Sequence, residues 1–536
     1  VHTSFSHAHS LYVEGGVDNV RYGIDAAYNN QTGVMIGSGR DRINLGFSLI
    51  YRIKDKITIK NYISYAHTHA YNSPYGDYAQ YGKQNPYERI YDDNGDLIPL
   101  LMNGDPNPLY DAKLPSRNFT NSQEFREQLN VDWMIGHGFR LRGQLGINKS
   151  NSETNKYTSP LSSVYVIKGK YNSSTGMTEY LPIEERGELD INHGKTLEVS
   201  SNVTLNYNKL VAEKHMLYGG LGTELTTTKD NNEGYVVTGF PDDRYSDPAF
   251  AIQYKKGTKA NSNENQTRAI GFFANLNYIY DNRYFLDASF RTDGSSRFGT
   301  DKKFAPFWSL GAGWNIHNEH FWFKNSIIDL FKLRYSYGVT GNQEFSAYQA
   351  KTMFTFQTDR LYNKQITSTL MGYGNPELKW QMQYSSNFGA DFGFVKSRLR
   401  ATFNYYIKRT EGMLASITVA PSIGLPDDSF TANLGKIKNT GWELNLNGVL
   451  IRKQEKDLEW AVTFQGAHNK NTLVEISNQL KGINATNNEE KKTPGAVYEE
   501  GQSMSAIKAV RSLGIDPVTG EEMFVKKDGT ITYIWD

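Results

Sequence analysis

The sequence predicts an all-β chain, a transmembrane antiparallel β-barrel with long loops on one side. Three observations predict it. Apolar and polar residues alternate with period two from end to end, which makes strands with one apolar and one wet face. Short and long links alternate strictly, which places every long loop on the same side of the sheet. Aromatic side chains crowd the strand ends, where a membrane–water girdle wants them.

About sixteen segments carry the pattern, several longer than the usual strand of about 5–6 residues. In residues 43–53, Ile43, Leu45, Phe47, Leu49, Tyr51 and Ile53 share one face, against Asn44, Gly46, Ser48 and Arg52. Residues 197–207 set Leu197, Val199, Val203, Leu205 and Tyr207 against Glu198, Ser200, Asn202, Thr204 and Asn206. Tyr284, Leu286, Ala288 and Phe290 oppose Asp287, Ser289 and Arg291. Trp442, Leu444 and Leu446 oppose Glu443, Asn445 and Asn447, and Leu458, Trp460, Val462 and Phe464 oppose Glu459, Thr463 and Gln465. Tight links fall at Asp18-Asn19, Lys54-Asp55-Lys56, Gly136-His137-Gly138, Asp281-Asn282-Arg283 and Lys396-Ser397-Arg398, all hairpin-sized runs of turn residues. Long links are expected at 30–41, 68–121, 151–192, 231–263, 340–375 and 414–432. One link on the short side, 317–327, is too long for a turn and is expected to form a small periplasmic helix. Tyr278, Tyr280, Tyr284 and Phe285 around the Asp281 turn are the girdle's clearest instance.

Composition excludes other classes. Among 536 residues there is no cysteine, so there is no disulfide framework, Cys-based metal site or thiol nucleophile. A net charge of +1 exerts no pull on nucleic acid, and no basic–aromatic patch stands out. Mean hydropathy is negative and no apolar run is long enough for a membrane helix. The competing reading is a soluble glycan-binding or structural all-β protein, such as a string of sandwiches or a propeller. No repeat at the blade period and no Pro/Ser linkers support it. Val1 is not an initiator methionine, nothing at the start resembles a signal peptide, and residues 531–536 stop in a β-like stretch; the chain is expected to be a piece of a longer protein.

A set of ordered motifs carries a resemblance. It begins with residues 9–16 (His9-Ser10-Leu11-Tyr12-Val13-Glu14-Gly15-Gly16) and continues with residues 291–299, from Arg291-Thr292-Asp293-Gly294 to Phe298-Gly299. Then come Asn318-Glu319-His320-Phe321, residues 333–343 with Gly338-Val339-Thr340-Gly341-Asn342, and Asn375-Pro376-Glu377-Leu378-Lys379-Trp380. Residues 433–443, ending Asn439-Thr440-Gly441-Trp442-Glu443, and Gly514-Ile515-Asp516-Pro517-Val518-Thr519-Gly520 complete it. In this order the set resembles the SusC/RagA-type TonB-dependent transporters of Bacteroidota outer membranes, with Gln381 standing where the family more often has Glu.

The resemblance implies that residues 1–536 are an incomplete transporter barrel of about 16 of an expected 22 strands, strands two to seventeen. An N-terminal extension, plug, first strand and last strands would lie outside it. Loop parity agrees, since the first segment runs toward the short-turn side and calls for a strand before it. In hydrocarbon each unpaired backbone group costs several kcal/mol, so remaining barrel and plug segments are expected to complete the ring. The resemblance also implies a SusD-like surface lipoprotein as lid, TonB–ExbB–ExbD acting through the absent N-terminal region, surrounding lipid or lipopolysaccharide, and a glycan or peptide substrate. No bond chemistry and no nucleic acid are implied.

Candidate sites are few. His7-Ala8-His9 and His67-Thr68-His69 each put two imidazoles on one strand face, half of a metal site at most; lumen-facing or interfacial histidines are the simpler reading. Asp92-Asp93-Asn94-Gly95-Asp96 is a candidate loop-calcium segment, but Leu97 stands where an EF-hand loop needs Gly, so an Asn-Gly hairpin is expected. Glycines 187 and 194 are too far apart for a phosphate loop, and a strand follows. Asp287 and Glu443 are expected to face a polar lumen, not to act as an acid/base couple. Arg291, Asp293 and Arg297 form a candidate loop-organising motif. The loop tyrosines Tyr71, Tyr75, Tyr78, Tyr81, Tyr87, Tyr91 and Tyr110 are the candidate ligand- or partner-binding surface, because rigid aromatic faces stack on sugars or dock peptide side chains at little entropic cost.

Overall fold

The computed structural model describes residues 3–74, 78–101, 103–172, 177–298, 303–322, 327–342, 348, 351–372, 374–375, 380–418, 429–433, 435–453, 458–476, 481, 499–506, 510–526 and 528–534. Two compact units divide the chain. The first comprises residues 1–136, 140–203 and 224–268; the second comprises 137–139, 204–223 and 269–536.

The strands run in chain order as β1 (Ser6–Val17), β2 (Val20–Thr32), β3 (Gly39–Ile53), β4 (Ile57–Tyr71), β5 (Arg117–Gly136), β6 (Phe139–Thr158), β7 (Val166–Asn172), β8 (Met177–Tyr180), β9 (Glu188–Val211), β10 (His215–Thr238), β11 (Gln253–Tyr254) and β12 (Asn261–Tyr280). They continue as β13 (Tyr284–Ser295), β14 (Phe304–Asn315), β15 (Ile328–Asn342), β16 (Met353–Tyr362), β17 (Gln365–Gly372), β18 (Gln381–Phe394), β19 (Leu399–Glu411), β20 (Leu414–Thr418), β21 (Ser429–Asn433), β22 (Lys436–Lys453), β23 (Leu458–Glu475), β24 (Arg511–Ile515), β25 (Glu522–Val525) and β26 (Ile531–Thr532). Seventeen of them form one sheet: β1–β6, β9–β15, β18, β19, β22 and β23. The sixteen long strands of that sheet match the segments read from the sequence, and β11 adds two residues. Of the remaining strands, β7–β8, β16–β17 and β20–β21 pair inside long links, and β24–β26 form a small sheet after β23.

Register fixes the faces. In the first unit Leu45 stands opposite Ala26 and Tyr65, and Phe47 opposite Ile24 and Ile63. In the second, Leu286 stands opposite Tyr278 and Ala312, and Leu310 opposite Ala288 and Tyr337. These rows are apolar and yet outside any core; Leu45 is 50% exposed and Leu286 49%. At about 25 cal/mol per Å², such a face in water is expensive, whereas hydrocarbon costs it nothing. The opposite face is polar and internally paired. Arg334 donates from Nε to Asp391 Oδ2 at 2.8 Å and from Nη2 to Asn404 Oδ1 at 3.2 Å. Among the described residues no helix is long and apolar enough to cross a membrane.

The turns explain why neighbours in sequence pair. Lys54 and Asp55 have φ of 49° and 53°, Ala212 and Glu213 49° and 58°, and Asp281 and Asn282 49° and 52°. Two consecutive left-handed residues give the primed turn whose twist matches the flanking strands. In the link at 317–327 the helix expected from the sequence is, among the described residues, one 3-10 turn, Ile316–Asn318; residues 323–326 lie outside the described residues. Hydrogen bonds set its path instead. Glu319 accepts from Trp314 Nε1 at 2.9 Å and from Arg283 Nη1 at 3.1 Å, and Asn318 donates to Asn282 O at 2.9 Å. The Asn318-Glu319 motif thus ties its link to the neighbouring turn.

Candidate functional site

In the first unit three long links, 72–116, 159–187 and 239–260, fold onto one another. Asn107 starts the short helix Pro108–Asp111: its Oδ1 accepts from Leu109 N at 3.1 Å, and Pro108 fills the first turn, where no N–H is needed. The Asn107 amide also donates to Ile98 O at 2.7 Å and to Ile90 O at 3.2 Å, so this buried side chain closes its own loop. Asp111 at the end of the same helix clamps the second link, accepting from Ser163 N at 2.8 Å, Ser163 Oγ at 2.5 Å and Ser162 Oγ at 3.1 Å. Tyr110 reaches Tyr180 hydroxyl to hydroxyl at 3.0 Å. Burial first, and then that hydrogen bond, push its phenol well above the ordinary tyrosine range.

The third link is held from the strand ends. Arg117 donates from Nη1 to Ser246 Oγ at 2.5 Å and from Nη2 to Ser246 O at 3.2 Å, with its guanidinium 5.1 Å from the Tyr157 ring. Gly239 N and Phe240 N both donate to Arg186 O, at 2.9 and 3.1 Å. Beneath lies a small dry core of Tyr157, Leu189, Ile191, Val237 and Phe240. Asp242 lies in the same link, and the side-chain and backbone hydrogen bonds of Arg244 hold its carboxyl well below the usual carboxylate range.

These links and the strand ends beside them line an open cavity of about 900 Å³. Lys83, Lys156, Lys255 and Lys256 line it together with Asp105, Asp111, Glu185 and Glu188. Lys255 pairs with Glu188 at 2.6 Å. The lining is mixed in charge and rich in hydrogen-bonding groups, which suits reversible capture of a polar ligand and supplies no nucleophile–base couple.

The sequence-predicted residues take varied positions. Tyr71 ends β4, and Tyr78 and Tyr81 lie in the short helix Tyr78–Gly82; Tyr75 lies outside the described residues. Tyr87 is 93% exposed, and Tyr91 forms a bridge with Leu97. Tyr110 alone of the seven is described in the loop interior just built. The Asp92–Asp96 segment is a turn: Asp92 Oδ1 accepts from Asn94 N and Asp96 N, both at 2.9 Å, and Gly95 takes φ +87°. No group of three His, Cys, Asp or Glu that could hold a metal occurs among the described residues. Arg291 Nε reaches Asp293 Oδ1 at 2.6 Å, and Arg297 donates its backbone N–H to Ser295 Oγ at 3.3 Å. Sequence reasoning missed Asp111, Tyr180 and the cavity lysines; only the Asn107-Pro108 helix start was readable.

In the second unit the motifs converge. Phe298, Ala305, Phe307 and Trp380 form a buried cluster with Met382 packed against it. A Cβ added at Gly341 would lie 3.1 Å from Trp380 Cε3 and 2.5 Å from Phe307 Cζ, so the close approach there requires glycine. Phe298, Gly341 and Trp380, one residue from each of the motifs at 291–299, 333–343 and 375–380, therefore meet in one packing unit; residues 299, 343 and 376–379 lie outside the described residues.

A sequence model described as "TonB dependent receptor-like, beta-barrel" matches residues 57–498. TonB-dependent receptor P26 of Formosa agariphila is 26% identical over 475 residues, covering 87% of this chain and 45% of its own length. TonB-dependent receptor SusC of Bacteroides thetaiotaomicron is 28% identical over 213 residues, 39% of this chain and 21% of SusC. The structure of the RagAB peptide transporter superposes with a TM-score of 0.81 at 22% identity, covering 99% of this chain and 57% of that one. The chain spans about half the length of the curated relatives P26 and P39 (45% and 46%).

Proposed function

The chain belongs to the TonB-dependent receptor-like β-barrel family, a family of outer-membrane receptors and not of enzymes, and from that premise we propose that it forms the wall and outer loops of an energised importer. The family match over residues 57–498 carries the reading. The links 72–116, 159–187 and 239–260 supply the surface on which cargo is first held, in the cavity of mixed polar and apolar lining beside them. A SusD-like lipoprotein closes over those loops, and TonB–ExbB–ExbD supplies the force through segments outside this chain. Cargo is an oligosaccharide or a peptide; RagAB, the structural neighbour, is a peptide transporter.

Uptake in whole cells tests this. Cells lacking the protein, and complemented cells, receive labelled oligosaccharide or peptide with and without a protonophore. Restored uptake that the protonophore abolishes supports the importer. Extraction without detergent as a monodisperse protein would favour the soluble β-protein instead.

A further inference from the structure

A pair of exposed rings in contact stands on the third link of the first unit. The centroids of Tyr245 and Phe250 are 4.9 Å apart and their planes are inclined by 33°. Both rings stay open, at 45% and 47% exposure. The guanidinium of Arg244 lies 5.7 Å from the Tyr245 ring. Single exposed aromatics are ordinary on a protein surface and call for no explanation. Two of them held together on a fixed backbone do.

The residues around the pair are tied down one after another. Asp242 accepts from Arg244 at three donors: the backbone N at 2.9 Å, Nε at 2.8 Å and Nη2 at 2.6 Å. Ser246, next to Tyr245, is gripped by Arg117 through its hydroxyl and its carbonyl. Asp247 fixes the 3-10 turn Pro248–Phe250, accepting from Ala249 N at 2.9 Å through Oδ1 and from Phe250 N at 3.0 Å through its carbonyl. Ala251 then packs against the dry core of Tyr157, Leu189, Ile191, Val237 and Phe240. A ligand that meets these rings finds their backbone already ordered, so little entropy is lost on binding.

We propose that Tyr245 and Phe250 form a stacking subsite for one pyranose ring of an oligosaccharide, with Asp242 and Arg244 reading its hydroxyls. A pyranose presents a face of C–H groups rimmed by hydroxyls. The rings supply the flat apolar surface for that face. The fork beside them supplies a carboxylate acceptor and, with Nε and Nη2 directed at Asp242, the Nη1 donor of a guanidinium that is 74% exposed. An extended peptide is the poorer fit, because it binds by main-chain pairing. The N–H groups of Arg244, Tyr245, Ala249, Phe250 and Ala251 are all spent inside the link. The inference rests on the importer reading for the route of the cargo, and it selects oligosaccharide over peptide.

The test uses the full-length protein purified in detergent. It is passed over an array of neutral and acidic oligosaccharides of gluco, galacto, manno and xylo configuration, and the best-retained one is titrated calorimetrically. Tyr245→Leu and Phe250→Leu should each weaken that oligosaccharide about ten-fold, the scale of one aromatic stacking contact, although both keep an apolar side chain. Tyr245→Phe and Phe250→Tyr keep the ring faces and should stay within about two-fold of the wild type. Exchange protection of the Phe250 N–H reports that the variants keep the link folded. An array that retains nothing, or Leu variants that bind as tightly as the wild type, overturns the proposal. Loss of a co-purifying protein from Tyr245→Leu at unchanged sugar affinity assigns the pair to a protein contact and overturns it too. A blank array together with peptide uptake that a protonophore abolishes removes this subsite and leaves the importer standing, so the two readings fail separately.

Discussion

The indole of Trp380 stacks on the ring of Phe298, centroids 4.4 Å apart and planes inclined by 20°, while Phe307 meets the same indole edge-on at 5.3 Å. Two stretches of sequence more than eighty residues apart are thereby one structural element, and Gly341 supplies the gap that lets the rings close. Trp380→Ala should cost about 3–5 kcal/mol, the range for truncating a buried tryptophan. Gly341→Ala should cost about 1–3 kcal/mol by overpacking the same cluster. Because both act on one cluster, the double variant should fall short of the sum. Urea titration of the protein in bilayers checks this; a cost for Trp380→Ala under about 1 kcal/mol would show that the cluster does not hold the strand ends.

Asp111 gathers three donors from the second link of the first unit. Asp111→Ala should weaken that loop by about 1.5–3 kcal/mol, the range for hydrogen bonds to a charged group. Faster hydrogen exchange confined to residues 159–187, with the strand ladder unchanged, is the expected signature. Exchange unchanged in that segment would mean the loops are held elsewhere.

Asp516 gives a pH dependence. Its carboxylate accepts from Tyr533 OH at 2.6 Å and from Val518 N at 2.8 Å, and these bonds, the tyrosine first, hold its carboxyl below the ordinary range. A depressed carboxyl contributes stability that is complete above its unfolded value and lost as pH falls through its folded one. Exchange protection of Gly520 N–H, which donates to Asp516 O at 2.8 Å, should therefore hold from neutral pH into the ordinary carboxylate range and fall away below it. Asp516→Asn should abolish the acid-dependent step. Persistence of the step in that variant would assign it to another group.

Ala212 and Glu213 occupy left-handed positions that side chains other than Asn and Gly adopt at a cost of about 1–2 kcal/mol per residue. Replacing the pair by Asn-Gly should raise stability by about 1 kcal/mol. Thermal or urea midpoints report it, and an unchanged midpoint would mean the flanking strands dictate the turn alone.

That turn also shows what the sequence could reveal. Asp281-Asn282 and Lys54-Asp55 announce themselves because Asn and Asp tolerate the left-handed region. Ala212-Glu213 carries no such signal and is fixed by the pairing of its strands. Period two exposed the sixteen long strands, since every two-residue step must return to the same solvent. The loop assembly has no period. Asp111 and Ser162 meet across 51 residues of chain, and nothing local in either stretch encodes that encounter. Length alone pointed to a small helix at 317–327; among the described residues only the 3-10 turn Ile316–Asn318 is helical, and Glu319 and Asn318 are committed to side-chain bonds with the adjoining turn. The tyrosines at 71–110 were grouped by composition; the fold places Tyr87 in solvent and Tyr110 against Tyr180.

The assignment of faces is the claim on which the rest depends, and Leu286 and Ser289 test it on one strand. Leu286 lies in the apolar row with Tyr278 and Ala312, whereas Ser289 hydrogen-bonds Ser309 on the opposite face at 2.6 Å. The measurement is the unfolding free energy of Leu286→Arg and Ser289→Arg in lipid bilayers. The expected result is a loss of about 2–4 kcal/mol for Leu286→Arg, as for a cation placed in hydrocarbon, and under about 1 kcal/mol for Ser289→Arg. Equal losses at the two positions, or the larger one at Ser289, would contradict it.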